Sequence, residues 1–270
     1  MIDWIYLAKN VAFFIGRSRL DLARSKTKEA TGVSLDDQAL WLIAELWGEN
    51  ETQAARELRM FAYRDTWPGK LTFADVCNYV KEKRVALVGN ASSAMGAEHG
   101  RDIDKHDIVV RINAGIPNSV ANSRDHLGES MDVWGGISTK LVSPSQAPPD
   151  PTGIAAKSSV DLGEWNSRVE QVWFVPWGPR PLHPILAPKT YGLFDEWFLA
   201  REYKGSNPSS GFAIAVMLAR TEAAVTNIYG FDFFETPSLQ TGRTTKFPVK
   251  QHSERLWLEE QPKIVIHPAR

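Results

Sequence analysis

The sequence predicts an α/β fold, a doubly wound, mostly parallel, Rossmann-like sheet with a helical region ahead of it. Three observations lead there. From Arg84 onward, short β-branched runs alternate with helical stretches, which is how a parallel sheet covered on both faces reads. The first of these runs, RVALVG, ends in a glycine turn. Before it, apolar residues recur at helical spacing.

The helical region spans residues 3 to about 82, with apolar stripes in DDQALWLIAELWG, ETQAARELRMFAYR and TFADVCNYVKEK. Gly48 and the WPGK turn at 67–70 punctuate it. The expected division is a helical region over 1–78 and a ligand-binding α/β domain over 79–270. Strands are predicted at 84–89, 107–113, 131–136, 171–176, 225–232 and 263–268, and the clearest helix is SSGFAIAVMLARTEA, 209–223. Segment 137–170, rich in Ser, Pro and Gly, reads as an irregular loop near the active face.

Composition narrows the function class. With 43% hydrophobic residues in 270, the chain can bury a substantial core. Lys+Arg 31 against Asp+Glu 32 give a net charge of -1, so no basic field points to nucleic acid as partner. One cysteine, Cys77, excludes an intramolecular disulfide, and the first residues lack the order of a secretory signal. A cytoplasmic location is expected. Residues 1–28 form a basic amphipathic stretch, which packs on its own domain or makes peripheral contact with the inner membrane.

In an open parallel sheet, ligands sit beyond the carboxyl ends of the strands. The first strand ends in Gly89-Asn90-Ala91, the second in Arg111-Ile112-Asn113, and the helix at 209 opens with Pro208-Ser209-Ser210-Gly211. Gly89 permits close backbone approach, the two asparagine amides donate and accept, and a helix start at Ser209 or Ser210 offers free N–H groups to a phosphate. Each also has a plain reading as turn former or helix cap.

Two segments carry a family resemblance. VALVGNASSAMGAEHGRDIDKHDIVVRINAG resembles the large motif of sialyltransferases, and NPSSGFAIAVMLARTEAAVTNIYGFDFF their small motif, in the family's order. The likeness is closest to animal-type family 29 and is similar also to small bacterial sialyltransferases. The resemblance implies a GT-A-like sialyltransferase variant of the fold. It also implies inverting, metal-independent transfer from a CMP-linked sugar to a glycan hydroxyl, with no cofactor. Carried over, Gly89, Asn90, Ala91, Arg111, Asn113, Ser209, Ser210, Gly211 and Asp232 would line the CMP-sugar site, and His252 would be the base. A histidine at a helix start is held neutral by the helix dipole, as a general base needs.

Several positions depart from the family. The histidine or tyrosines that meet the leaving phosphate are missing between Glu235 and Gln251, leaving Arg243, Thr244, Thr245, Lys246 and Lys250 as candidates. Trp257 stands where the family has a glutamate, and the family's disulfide cysteines are absent. The donor sugar, sialic acid or Kdo, stays open, as does an acceptor such as a lipopolysaccharide or other cell-surface polysaccharide. Trp134, Gly135 and Trp177 are acceptor-side candidates against the plain reading as core. Rival functions are a CMP-binding module without turnover and a metal-dependent transferase using Asp102 and Asp104 as a DxD pair on a diphosphate donor. His99, His106, His126 and His183 form no metal-ligand spacing, and His267 reads as structural.

Overall fold

The computed structural model describes residues 3–15, 17–36, 39–40, 42–44, 47, 51–65, 67–113, 124–136, 169–176, 184–204, 208–233, 235–236 and 248–268. The chain forms two compact units, Met1–Trp67 with Pro176–Arg180, and Pro68–Val175 with Pro181–Arg270.

In the first unit, α1 (Trp4–Ile15) packs on α2 (Leu20–Thr31) and α3 (Glu51–Asp65). Leu7, Ala8, Val11 and Ile15 form the inward stripe of α1. Asp3 Oδ1 accepts the Tyr6 N–H at 3.0 Å and so caps α1, whereas α2 ends on Gly32 at φ 76, the left-handed conformation that glycine adopts without strain. Within the predicted helical stretch at 36–48, residues 39–40, 42–44 and 47 are described and helical, with Ala39, Leu40 and Ile43 buried.

The second unit opens with α4 (Phe73–Val80), started by a capping box in which Thr72 and Asp75 satisfy each other's N–H groups. Seven strands follow: β1 (Arg84–Val88), β2 (Ile108–Ile112), β3 (Val133–Gly136), β4 (Gln171–Phe174), β5 (Thr190–Gly192), β6 (Val225–Tyr229) and β7 (Ile264–Ile266). They form one sheet in the order β5-β4-β3-β2-β1-β6-β7. Every pair is parallel. Short runs such as RVALV and IVVRI suit this arrangement, since their side chains are covered on both faces. The sequence predicts six of the strands. It misses β5, a three-residue run among prolines with no alternation to mark it.

The chain builds outward from β1 to β5, then returns to lay β6 and β7 on the other side of β1. That reversal makes β1 and β6 the switch point, the place where open α/β sheets bind ligands beyond their strand ends. One face is packed by Ala94, Ile103 and Leu127 against Ala86, Val88, Val109 and Tyr229. Of these covering residues, Ile103 closes the short α5 (Gly100–Ile103) and Leu127 the short α6 (Arg124–Leu127). Near the sheet edge, α7 (Phe194–Lys204) presents the buried Glu196, which accepts from Tyr191 Oη at 2.8 Å and Arg220 at 3.1 Å. The central helix α8 (Ser210–Ala219) is buried from Ser210 to Leu218, all round rather than on one stripe. The last helix, α9 (Pro248–Glu259), runs into β7.

The β6–β7 edge is closed by an aromatic cluster. The His267 ring stacks on Tyr229 at 4.3 Å between centroids, and His99 approaches both rings at 5.7 and 5.3 Å. His106 meets Tyr229 edge-on at 5.8 Å, and His267 Nε2 donates to Asn227 Oδ1 at 2.8 Å. Burial, then the neighbouring His99 and His106, push the His267 imidazole below its ordinary value, with Asp102 opposing weakly. A lowered folded-state value means that the unfolded chain takes up the proton first. This contribution to stability is therefore complete above about pH 6.5 and is lost as the pH falls from there through the folded-state value. Thermal melts across this range are expected to show the loss in the native chain and a reduced loss in His267→Phe, which keeps the stacked ring but cannot protonate.

Candidate functional site

The switch point is built by interlocking backbone and one ring. Gly89 donates its N–H to the Tyr229 carbonyl at 2.8 Å, and Ala91 donates to the Gly230 carbonyl at 3.2 Å. A Cβ on Gly89 would lie 2.4 Å from the Gly230 oxygen and 2.7 Å from the Phe231 ring. A Cβ on Gly211 would lie 2.5 Å from the same ring. The glycines that close the first strand and open the central helix thus make room for Phe231. The backbone approach expected of Gly89 is made to β6.

Asp232, next in the chain, accepts from Ser93 Oγ at 3.1 Å, from the Thr236 N–H at 2.7 Å, and from the Thr236 hydroxyl in a very short bond. Thr236 Oγ1 in turn accepts the Ser93 N–H at 3.2 Å. The carboxylate therefore ties the 3-10 turn Ser92–Gly96 to the turn after β6.

Asn90 and Asn113 are both half-buried at the ends of β1 and β2. Asn113 sits at φ 55 and accepts the Trp134 Nε1–H at its carbonyl, 2.9 Å. Its side-chain Oδ1 is buried with no hydrogen-bond partner among the described residues, and a Cβ on Gly136 would come within 2.8 Å of it. An acceptor in that state costs free energy until a donor reaches it. Among the described residues, Asn113 is the one predicted site residue with such an opening.

Other predicted residues are committed elsewhere. Arg111 is fully buried, donating through Nε to the Ser130 carbonyl at 2.7 Å and through Nη2 to the Leu127 carbonyl at 2.8 Å. Burial pulls its guanidinium down to about 10 despite Asp104 and Asp132. Through these two bonds it braces the turn after α6. Asp104 braces the same turn, accepting N–H groups from Glu129 and Ser130 at 2.8 to 3.0 Å. Asp102 is exposed and paired with Lys105 at 3.1 Å, so the two carboxylates of the DxD reading serve different tasks. Among the described residues no group of His, Cys, Asp and Glu is arranged for a metal ion.

Trp134 is fully buried and belongs to the core rather than to an acceptor surface. Gly135 gives space to Ile214 of α8, 2.4 Å from where its Cβ would be. Ala91 and Ser210 are buried as well.

The start of α8 carries an arrangement that the sequence did not disclose. Ser209 caps the helix, its Oγ accepting the Phe212 N–H at 3.1 Å. Its own N–H and hydroxyl both donate to the Glu254 carboxylate, at 2.9 and 2.8 Å, and Glu254 is 2% exposed. A buried carboxylate thus holds the groups of Ser209 that the sequence offered to a phosphate. It could be found only by knowing that α9 packs there, since a glutamate in HSERLWLEE looks like a solvated helix face.

His252 is the fifth residue of α9, which begins at Pro248, a residue suited to a first helical position. It therefore lies past the first turn, where the dipole is felt most, and the dipole argument for a neutral imidazole loses force. The His252 and Lys250 side chains, Arg243, Thr244, Thr245, Lys246 and Trp177 lie outside the described residues.

No protein-family model matches the chain, and no curated protein is similar to it in sequence. Solved structures do match. A mammalian sialyltransferase is similar at a TM-score of 0.53 with 16% identity, over 89% of this chain and 88% of that one. The same kind of enzyme in complex with Gal-beta-1-3GalNAc-ortho-nitrophenol gives 0.51 with 15% identity, over 88% of both chains. A sialyltransferase of Campylobacter jejuni in complex with CMP-3FNeuAc gives 0.40 with 12% identity, over 68% and 79%.

Two stability measurements check this geometry. Gly211→Ala is expected to cost about 1–3 kcal/mol by overpacking against Phe231, and a Gly211→Ala/Phe231→Leu double-mutant cycle by denaturant melts should show less than the sum of the single effects. Glu254→Ala should cost about 1–3 kcal/mol by stranding the Ser209 donors, with Glu254→Gln recovering part of it. On its similarity to the two mammalian sialyltransferase structures, the chain has a sialyltransferase-like fold.

Proposed function

We propose that the chain is an inverting, metal-independent glycosyltransferase that moves sialic acid, or the related acidic sugar Kdo, from its CMP donor to a hydroxyl of a glycan. The observation that carries this reading is the meeting of the two motif segments at the β1/β6 switch point, around Phe231, with the buried Asn113 Oδ1 beside them lacking a partner among the described residues. A glycan acceptor is supported by the galactose-containing disaccharide bound to one mammalian neighbour. A lipopolysaccharide or other cell-surface polysaccharide is the acceptor we favour, reached by an enzyme working in a reducing, cytoplasmic compartment consistent with the single Cys77.

In the proposed reaction Asn90 and Asn113 hold the CMP moiety. His252 takes the proton of the acceptor hydroxyl, whose oxygen attacks the anomeric carbon from the face opposite the nucleotide. The bond from that carbon to the phosphate oxygen breaks, and CMP departs with the electron pair. Because Glu254 already takes the Ser209 donors, the charge of the departing phosphate falls to the cations of the 243–250 segment, Arg243, Lys246 or Lys250, or to the hydroxyls of Thr244 and Thr245.

Purified chain incubated with CMP-sialic acid and with CMP-Kdo, with and without simple galactosides, should release CMP from one donor. EDTA should leave the rate unchanged. His252→Ala is expected to lower transfer by about 10²–10⁴ while CMP affinity by calorimetry stays within a few-fold, and Asn113→Ala should weaken CMP binding about tenfold. Heat on titrating CMP with no turnover of either donor would favour a binding module, and no heat at all would overturn both readings.

A further inference from the structure

We infer that α1 seats the chain on an anionic membrane surface through the face it turns to solvent. The inference stands on the first unit alone and does not depend on the proposed reaction.

The helix divides cleanly. At about 100° per residue, Leu7, Ala8, Val11 and Ile15 fall on one side and are buried. On the other side Ile5, Lys9 and Phe13 follow at four-residue steps with Tyr6 beside them, and Arg17 continues the line just past the helix end. Ile5, Tyr6 and Phe13 are 49%, 65% and 52% exposed. A helix that served only its own unit would place polar residues there, because exposing large apolar side chains gains nothing in water.

The composition of the outward face identifies what covers it. Its charged members are cations, Lys9 and Arg17, whereas the carboxylate of Asp3 is turned to the Tyr6 N–H at the start of the helix. The Arg17 guanidinium lies 4.6 Å over the Phe13 ring, so charge and apolar surface are presented side by side. Residues 3–31 hold six cations (Lys9, Arg17, Arg19, Arg24, Lys26, Lys28) against three carboxylates (Asp3, Asp21, Glu29), a local +3 in a chain of net -1. Apolar and aromatic side chains interleaved with Lys and Arg are what a helix lying in a headgroup layer requires, the rings entering the acyl boundary while the cations meet lipid phosphates. A second protein fits less well. Three partly exposed side chains supply on the order of 300 Å², against the roughly 800 Å² per partner of a stable interface. No described helix is long and apolar enough to cross a membrane, so the contact inferred is along the surface.

Co-sedimentation of the full chain with vesicles tests this. Phosphatidylcholine vesicles containing phosphatidylglycerol should retain the chain, pure phosphatidylcholine should retain far less, and high salt should release it. Lys9→Glu/Arg17→Glu should lower partitioning by more than tenfold, at about 1 kcal/mol per charge near the surface. Phe13→Ser should lower it as well. Unchanged far-UV melts would show that the variants are folded, and Tyr6→Ser, at the most exposed of the three, gives a second probe should Phe13→Ser unfold. Absence of binding to the anionic vesicles, equal binding to both vesicle types, or retention by folded variants equal to that of the native chain would overturn the inference. So would sedimentation as a dimer that Phe13→Ser converts to a monomer. CMP binding should be the same in all these variants, which separates failure here from failure of the catalytic reading.

Discussion

The switch point depends on one ring. Phe231 occupies the space that Gly89 and Gly211 leave by having no side chains, and so joins the end of β1, the start of α8 and the exit from β6 in a single contact. Close packing makes such a contact unforgiving, since interiors have no slack for an added methyl group. The residue after the ring completes the work. Asp232 gathers Ser93 and Thr236, so the two turns at the switch point are bound to each other as soon as β6 ends.

The polar residues around this core divide into those that build and those that remain open. Arg111 and Asp104 hold opposite electrical ends of one turn, the guanidinium on its carbonyls and the carboxylate on its N–H groups. Glu254 fastens α9 to the cap of α8. Each is buried or committed, and each would leave stranded partners if removed. Asn113 differs, its buried Oδ1 having no donor among the described residues. A site that binds by neutral amides needs an arrangement of that kind, in which the scaffold is satisfied and the recognising group is not.

Much of the architecture was legible because parallel strands buried on both faces write themselves as short β-branched and aromatic runs, and six of seven were located by such runs alternating with helical stretches. β5 escaped since three residues of TYG at a sheet edge carry no periodic signal. The strand ends were legible as places where chemistry gathers, but the division of labour among them was not. Gly89 reads as an approach for a ligand, yet the atoms nearest it belong to the Gly230 carbonyl and the Phe231 ring, and the same ring lies against Gly211. Arg111 ends a strand like a binding residue, yet its partners come from a turn about twenty residues on, at Leu127 and Ser130. Glu254 gave no local sign because its role is set by which helix lies beside which, a tertiary fact. Trp134 was ambiguous by nature, as aromatic residues serve cores and sugar faces alike.

The Glu254–Ser209 pair has a consequence for selectivity. A helix amino end ordinarily welcomes any anion, and more charge is welcomed more. With a carboxylate already lodged at the cap of α8, that welcome is spent, and each additional negative group brought near it meets repulsion in a medium of low polarity. A multiply charged anion brought to this helix end would be penalised ahead of a singly charged one.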